Sequence, residues 1–144
     1  MMIDVFLERE LEAGRLEPGA IASAGRNTQA STRNFLIHGH CHQKALYGTR
    51  AMKTLFGLIE GASVQEIDSG CCGMAGSFGY EKQHYALSLK IGEDRLFPAI
   101  REMAPETDLI ACGFSCRHQI ADALGIRARH FVEAMAEAVG PPPS

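Results

Sequence analysis

Residues 35–44 read FLIHGHCHQK, and the change of character inside this run sets the reading of the chain. Phe35, Leu36 and Ile37 form a short apolar run closed by Gly39, the pattern of a buried strand. Cys41 follows at once. From His42 onward, Ala45, Thr49, Met52, Phe56 and Ile59 fall on one helical face, and Gly61 closes that helix. The same order recurs along the chain. VQEID at 64–68 reads as a second strand and leads to Cys71 and Cys72. DLIAC at 108–112 reads as a third, with Cys116 opening a short helix that runs to Leu124. Between them, residues 80–97 show Tyr80, His84, Leu87 and Ile91 on one stripe, and Pro98 is expected to end or kink this helix. A fourth, brief strand is expected over 127–130, before a helix carrying Val132, Met135 and Val139.

Strand–helix alternation predicts an α/β fold: a small parallel sheet of about four strands flanked by helices. In such sheets ligand sites form outside the strand C-termini. Each strand here is followed by cysteine, so the thiols are expected to meet on loops at that edge. Ile3, Phe6, Leu7 and Leu11 mark an N-terminal amphipathic helix over residues 1–16. Residues 17–33 are small, polar and Gly/Pro-containing and read as a linker. The folded unit is then 34–139. The tail 140–144, with three consecutive prolines, is expected to be disordered or extended.

Composition narrows the function classes. The 144 residues suit one domain, and 46% hydrophobic with 22% charged is an ordinary globular balance. A formal charge of −3 with no basic run argues against nucleic acid. No apolar stretch has the length to cross a bilayer and no signal pattern opens the chain, so no direct membrane insertion is expected. The expected location is cytoplasmic, or peripheral at the inner membrane through a partner. Five cysteines is an odd number, which fits a complete disulfide framework poorly and metal or redox use better.

Thiolates are the usual ligands of iron–sulfur clusters, and four complete a cubane. Gly70, Gly73, Gly76 and Gly79 around Cys71-Cys72 suit a loop that bends tightly and turns backbone N–H groups toward sulfur. Zinc takes the same thiolate and imidazole donors and is the main competitor, although the usual C-x₂-C pairs are missing. Ordinary buried cysteines are a weaker alternative, since adjacent cysteines beside glycines pack poorly. A dithiol–disulfide pair ranks third, because adjacent cysteines form a strained bridge.

Three motifs in order, His38-Gly39-His40-Cys41-His42-Gln43-Lys44, Gly70-Cys71-Cys72-Gly73-Met74-Ala75-Gly76-Ser77-Phe78-Gly79-Tyr80 and Ser115-Cys116-Arg117-His118-Gln119-Ile120, resemble the cysteine-rich CCG domain family. That family includes the iron–sulfur subunits of glycolate oxidase and anaerobic glycerol-3-phosphate dehydrogenase, and the heterodisulfide reductase B subunit. The resemblance is most particular to the C-terminal iron–sulfur domain of fused FAD-linked oxidases of the D-lactate or D-2-hydroxyglutarate dehydrogenase type, over about residues 33–139. It implies a flavin domain or subunit as partner, a D-2-hydroxy acid as its substrate, and an iron–sulfur cluster, 4Fe-4S, carrying electrons to an acceptor. The chain has no recognisable flavin-binding segment, so it reads as a fragment or subunit that is not catalytic alone. A zinc-stabilised docking domain and a heterodisulfide-reductase-like thiol/disulfide site are the alternatives.

Glycerol-3-phosphate dehydrogenase-type members carry Cys-x-x-Cys at the third motif, whereas here position 113 is Gly and the extra cysteine is Cys112. The resemblance therefore implies Cys41, Cys71, Cys72 and Cys116 as the ligands. Cys112 and His40 rank behind them, since Cys112 on a strand would face differently. His42 and His118 are read as loop-fixing or helix-capping groups. Lys44 and Arg117 start helices beside the thiolates, as charge-balancing cations or as solvated surface charges. Phe78 and Tyr80 are expected to pack the Gly-rich loop against the core.

Overall fold

In the computed structural model, which describes residues 2–22 and 33–139, the sheet is built from three runs. These are β1 (Arg33–His38), β2 (Ala62–Glu66) and β3 (Thr107–Ala111). All pairings are parallel, in the order β2-β1-β3. The last four residues of the central strand are all buried, as expected for a strand covered on both faces. The fourth strand expected over 127–130 is reduced to one parallel bridge, Ile110 to Arg129, so the sheet has three strands among the described residues.

Seven α-helices complete the fold among the described residues: α1 (Ile3–Glu12), α2 (Pro18–Ala22), α3 (Cys41–Leu46), α4 (Arg50–Gly57), α5 (Tyr85–Arg101), α6 (Phe114–Leu124) and α7 (Phe131–Val139). None of them is long and apolar enough to cross a membrane. The segment 17–33 read as a linker thus holds a helical turn, with Ile21 in the core, and ends in the first residue of β1. Positions 23–32 and the tail 140–144 lie outside the described residues.

Alternate residues of β1 feed two cores. Phe35 and Ile37 join Met52, Leu55 and Phe56 of α4 and Phe131 of α7 on one face. Phe35 stacks on Phe56 with centroids 4.2 Å apart. Leu36 joins Leu96, Phe97, Ile100, Cys72, Cys116 and Ile120 on the other, under α5 and α6. Each large apolar side chain fully covered in these cores contributes about 1.5–3 kcal/mol by leaving water.

Two helical expectations change. The single helix expected from His42 to Gly61 is divided into α3 and α4 around Gly48, whose φ of +72° is left-handed and interrupts the ladder. The stripe Tyr80, His84, Leu87 and Ile91 is not the packed face of α5. Tyr80 and Leu87 are half exposed, and the buried side is Ser88, Gly92, Leu96, Phe97 and Ile100. Pro98 does not end the helix either, because α5 continues to Arg101.

Candidate metal centre at the strand C-terminal edge

The strand ends deliver the cysteines to one place. Cys41 opens α3 directly after β1, and Cys71-Cys72 follow β2 through a short loop. Cys116 sits in the first turn of α6, after β3. Cys41 is exposed, Cys71 half-buried, and Cys72 and Cys116 are buried. Cys41 and Cys71 line a cavity of about 560 Å³ together with His40, His42, Cys72, Ala75, Gly76 and Ser115. That volume lies within the usual range for small-ligand and cofactor sites.

Beneath this cavity a ring nitrogen of His38 and the Sγ atoms of Cys72 and Cys116 lie within 4.8 Å of one another, all buried. Nδ1 of His38 is 2.8 Å from Ser69 Oγ, Nε2 is buried with no partner of ordinary hydrogen-bond geometry, and the ring acts on the Cys72 sulfur. A hydrogen bond with the Cys116 thiol, then the His38 ring and the Met74 N–H, hold the Cys72 pKa down to about 4 despite burial. Cys116 is pushed up, first by its hydrogen bond to Cys72 and then by burial. Cys41 is also raised, by burial first and then by the neighbouring Cys71 and Cys72.

The loop geometry explains the glycines. Gly73 has φ +99°, and a Cβ there would run into the backbone oxygen of Ser88, so any side chain would force the Cys71-Cys72 loop off α5. Gln119, 3% exposed, donates from Nε2 to Cys72 O at 3.1 Å and to Ser88 Oγ at 2.9 Å, tying loop, α5 and α6 together. Gly113 leaves room for two site groups: a Cβ would meet the His40 ring and lie 2.9 Å from Cys116 Sγ. The Gly73 N–H donates to Cys71 Sγ at 3.3 Å.

The remaining sequence candidates divide. Cys112 faces the opposite core, with its Sγ 3.6 Å from Met52 Sδ, and burial pushes its thiol up. His40 lies beside Cys116, as the Gly113 contact shows. His118 bonds the Tyr80 hydroxyl at 3.0 Å rather than loop backbone. Lys44 Nζ donates to Ser69 O at 2.7 Å, and Arg117 Nη1 donates to the carbonyls of Ala111 and Cys112, both at 2.9 Å. Both cations therefore fasten the loops that carry the thiols. Phe78 and Tyr80 do not pack the Gly-rich loop inward: Phe78 stacks on His84 and Tyr80 is 54% exposed, leaving Met74 as the buried anchor. His38, grouped in the sequence with the motif histidines that bond loop backbone or cap a helix, instead bonds the Ser69 side chain, and its alternation with Ile37 at the end of β1 turns it toward the face that holds Cys72.

Soft sulfur donors with an imidazole fit a transition-metal centre, and a buried Nε2 with no partner of ordinary geometry is the kind of atom such a centre satisfies. Fold and site together define a small doubly wound α/β unit with a cysteine-rich candidate metal centre at the strand C-termini. The chain belongs with one segment of two kinds of dehydrogenase protein, to which it is homologous. It is 32% identical over 137 residues to D-2-hydroxyglutarate dehydrogenase of Escherichia coli (strain K12), covering 94% of this chain and 13% of that protein. It is 35% identical over 104 residues to the same-named protein of Pantoea ananatis (strain AJ13355), covering 72% of this chain and 10% of that one. The C subunit of anaerobic glycerol-3-phosphate dehydrogenase of Escherichia coli (strain K12) is 31% identical over 104 residues, which is 72% of this chain and 26% of that protein. The chain therefore spans about a quarter or less of each relative. No family model and no solved structure matches it.

Proposed function

We propose that this chain is an iron–sulfur electron-transfer unit of an FAD-linked oxidoreductase that oxidises a D-2-hydroxy acid. One observation carries the reading. Thiols that are far apart in sequence converge on one edge, with Cys72 and Cys116 buried beneath Cys41 and Cys71. Cys41, Cys71, Cys72 and Cys116 would hold the cluster, and all of them are free thiols rather than halves of a disulfide. The cluster would supply one-electron storage between a flavin, held by a partner domain or subunit, and an acceptor. The chain's own part is to position the thiolates, exclude water from Cys72 and Cys116, and leave an open rim at Cys41 where a partner can approach. The names of the relatives, both dehydrogenases, support the redox assignment.

A second reading is favoured by a specific distance. A tetrahedral ion with bonds of about 2.3 Å places its ligands about 3.8 Å apart. The His38, Cys72 and Cys116 donors all lie within 4.8 Å of one another, a limit that admits that spacing. A single zinc ion would then make this a structural or docking domain. Anaerobic reconstitution with iron and sulfide separates the two. The electron-transfer reading expects about four irons with matching sulfide, a paramagnetic signal on reduction, and loss of both in Cys72→Ser. Stoichiometric zinc without iron uptake would replace it with the structural reading.

A further inference from the structure

His38 has features of a ligand that the cysteine motifs do not convey. It is 1% exposed at the end of the central strand, and one ring nitrogen shares a 4.8 Å neighbourhood with the Cys72 and Cys116 sulfurs. Nδ1 is occupied by Ser69 Oγ at 2.8 Å, Nε2 has no partner of ordinary hydrogen-bond geometry, and the ring's other polar neighbour is the Cys72 sulfur. A buried ring nitrogen whose neighbours are sulfurs, weak hydrogen-bond partners, is better satisfied by a metal bound to the same sulfurs. Histidines that bind metals characteristically donate from their other nitrogen to an oxygen, which fixes tautomer and ring plane. Ser69 is placed to receive that bond, and Lys44 and the Ser69 N–H bond to Ile67 O hold Ser69 itself.

We propose that His38 is a nitrogen ligand of the centre, with Nε2 joining the Cys72 and Cys116 sulfurs and Ser69 orienting the ring through Nδ1. The proposal rests on the metal-centre reading above: on a single ion His38 joins Cys72 and Cys116 directly, and on a four-iron cluster, with one outer ligand per iron, it would take the place of one rim thiol. It makes the buried floor of the site a mixed nitrogen–sulfur set, with Cys41 or Cys71 supplying the fourth donor from the open side. His38 also sits three residues before Cys41 across Gly39, so one strand end contributes to floor and rim together.

Cobalt(II) added anaerobically to the reduced, metal-free full chain tests this without any assay of activity. Thiolate-to-cobalt absorption reports the cysteines. An exchangeable, strongly shifted ring N–H proton resonance reports a histidine bound through Nε2 with its proton on Nδ1. Both are expected in the native chain and in His40→Ala, and the resonance alone is lost in His38→Gln. Ser69→Ala, which keeps His38 and guards against a misfolded His38 variant, should weaken cobalt binding by roughly tenfold and broaden the resonance by faster exchange. Thiolate absorption without a shifted ring N–H in the native chain would overturn the role of His38 and leave the cysteine centre standing. Absence of thiolate absorption would overturn both.

Discussion

Cys72 and Cys116 hold one proton between them in the metal-free chain, and that proton makes stability depend on pH in a defined way. Unfolded, both thiols titrate near the ordinary 9.0; folded, Cys72 is a thiolate down to about 4 while Cys116 keeps its proton well above 9. Between about pH 4 and 9 the unfolded chain binds one proton more than the folded chain, so this pair adds stability as pH rises. Above that range the unfolded chain binds one proton fewer, and the contribution falls again. The melting temperature of the reduced, metal-free chain should therefore exceed that of Cys116→Ala by most near pH 9, with the gap narrowing on both sides. A gap that is the same at every pH would remove the shared-proton account. The sequence let the two third-motif cysteines be told apart, because strand alternation turns Cys112 away from the face that Cys72 occupies. His38 stood in the first motif among other histidines, but nothing singled it out, because its partnership depends on Ser69 and Cys116, 31 and 78 positions away, and so on the sheet being assembled.

At the level of elements, the Cys71-Cys72 loop is held from both sides by α5 and α6. Gln119→Ala removes the donor shared by Cys72 O and Ser88 Oγ in a buried place, and should cost about 1–3 kcal/mol. Gly73→Ala should cost more. It adds about 1–3 kcal/mol of backbone strain at φ +99° to a collision with a helix carbonyl, which cannot swing aside as a side chain would. Urea midpoints of the two variants check the order, and a Gly73→Ala change smaller than Gln119→Ala would contradict it. The three strands were legible because each is a compact run with a polar or glycine stop. The packed face of α5 was not. Its buried residues include Ser88 and Gly92, which lie close to Gly73 and to the Phe97 ring, and an apolar stripe cannot reveal a face whose contacts need small groups. The break at Gly48 was hidden for a similar reason: the apolar spacing runs on across it, while the backbone turns.

Across the whole molecule the sheet separates two layers, and the candidate centre belongs to one of them. Cys72 and Cys116 are packed with Leu36, Leu96, Phe97 and Ile120 in the α5–α6 layer. The α4–α7 layer, with Phe35, Phe56 and Phe131, lies across β1 and contributes none of the buried donors. A ligand that binds only the closed site raises the free energy of every opening that breaks the site, and leaves openings that preserve it unchanged. Metal loading should therefore slow amide hydrogen exchange along α6, in the first turns of α5 around Ser88, and in residues 72–79. Amides of α7 that exchange by local fraying, on the far face, should keep their metal-free rates. Equal slowing in α6 and α7 would mean that the two layers open as one unit, and that the sheet passes the constraint of the centre to the entire chain.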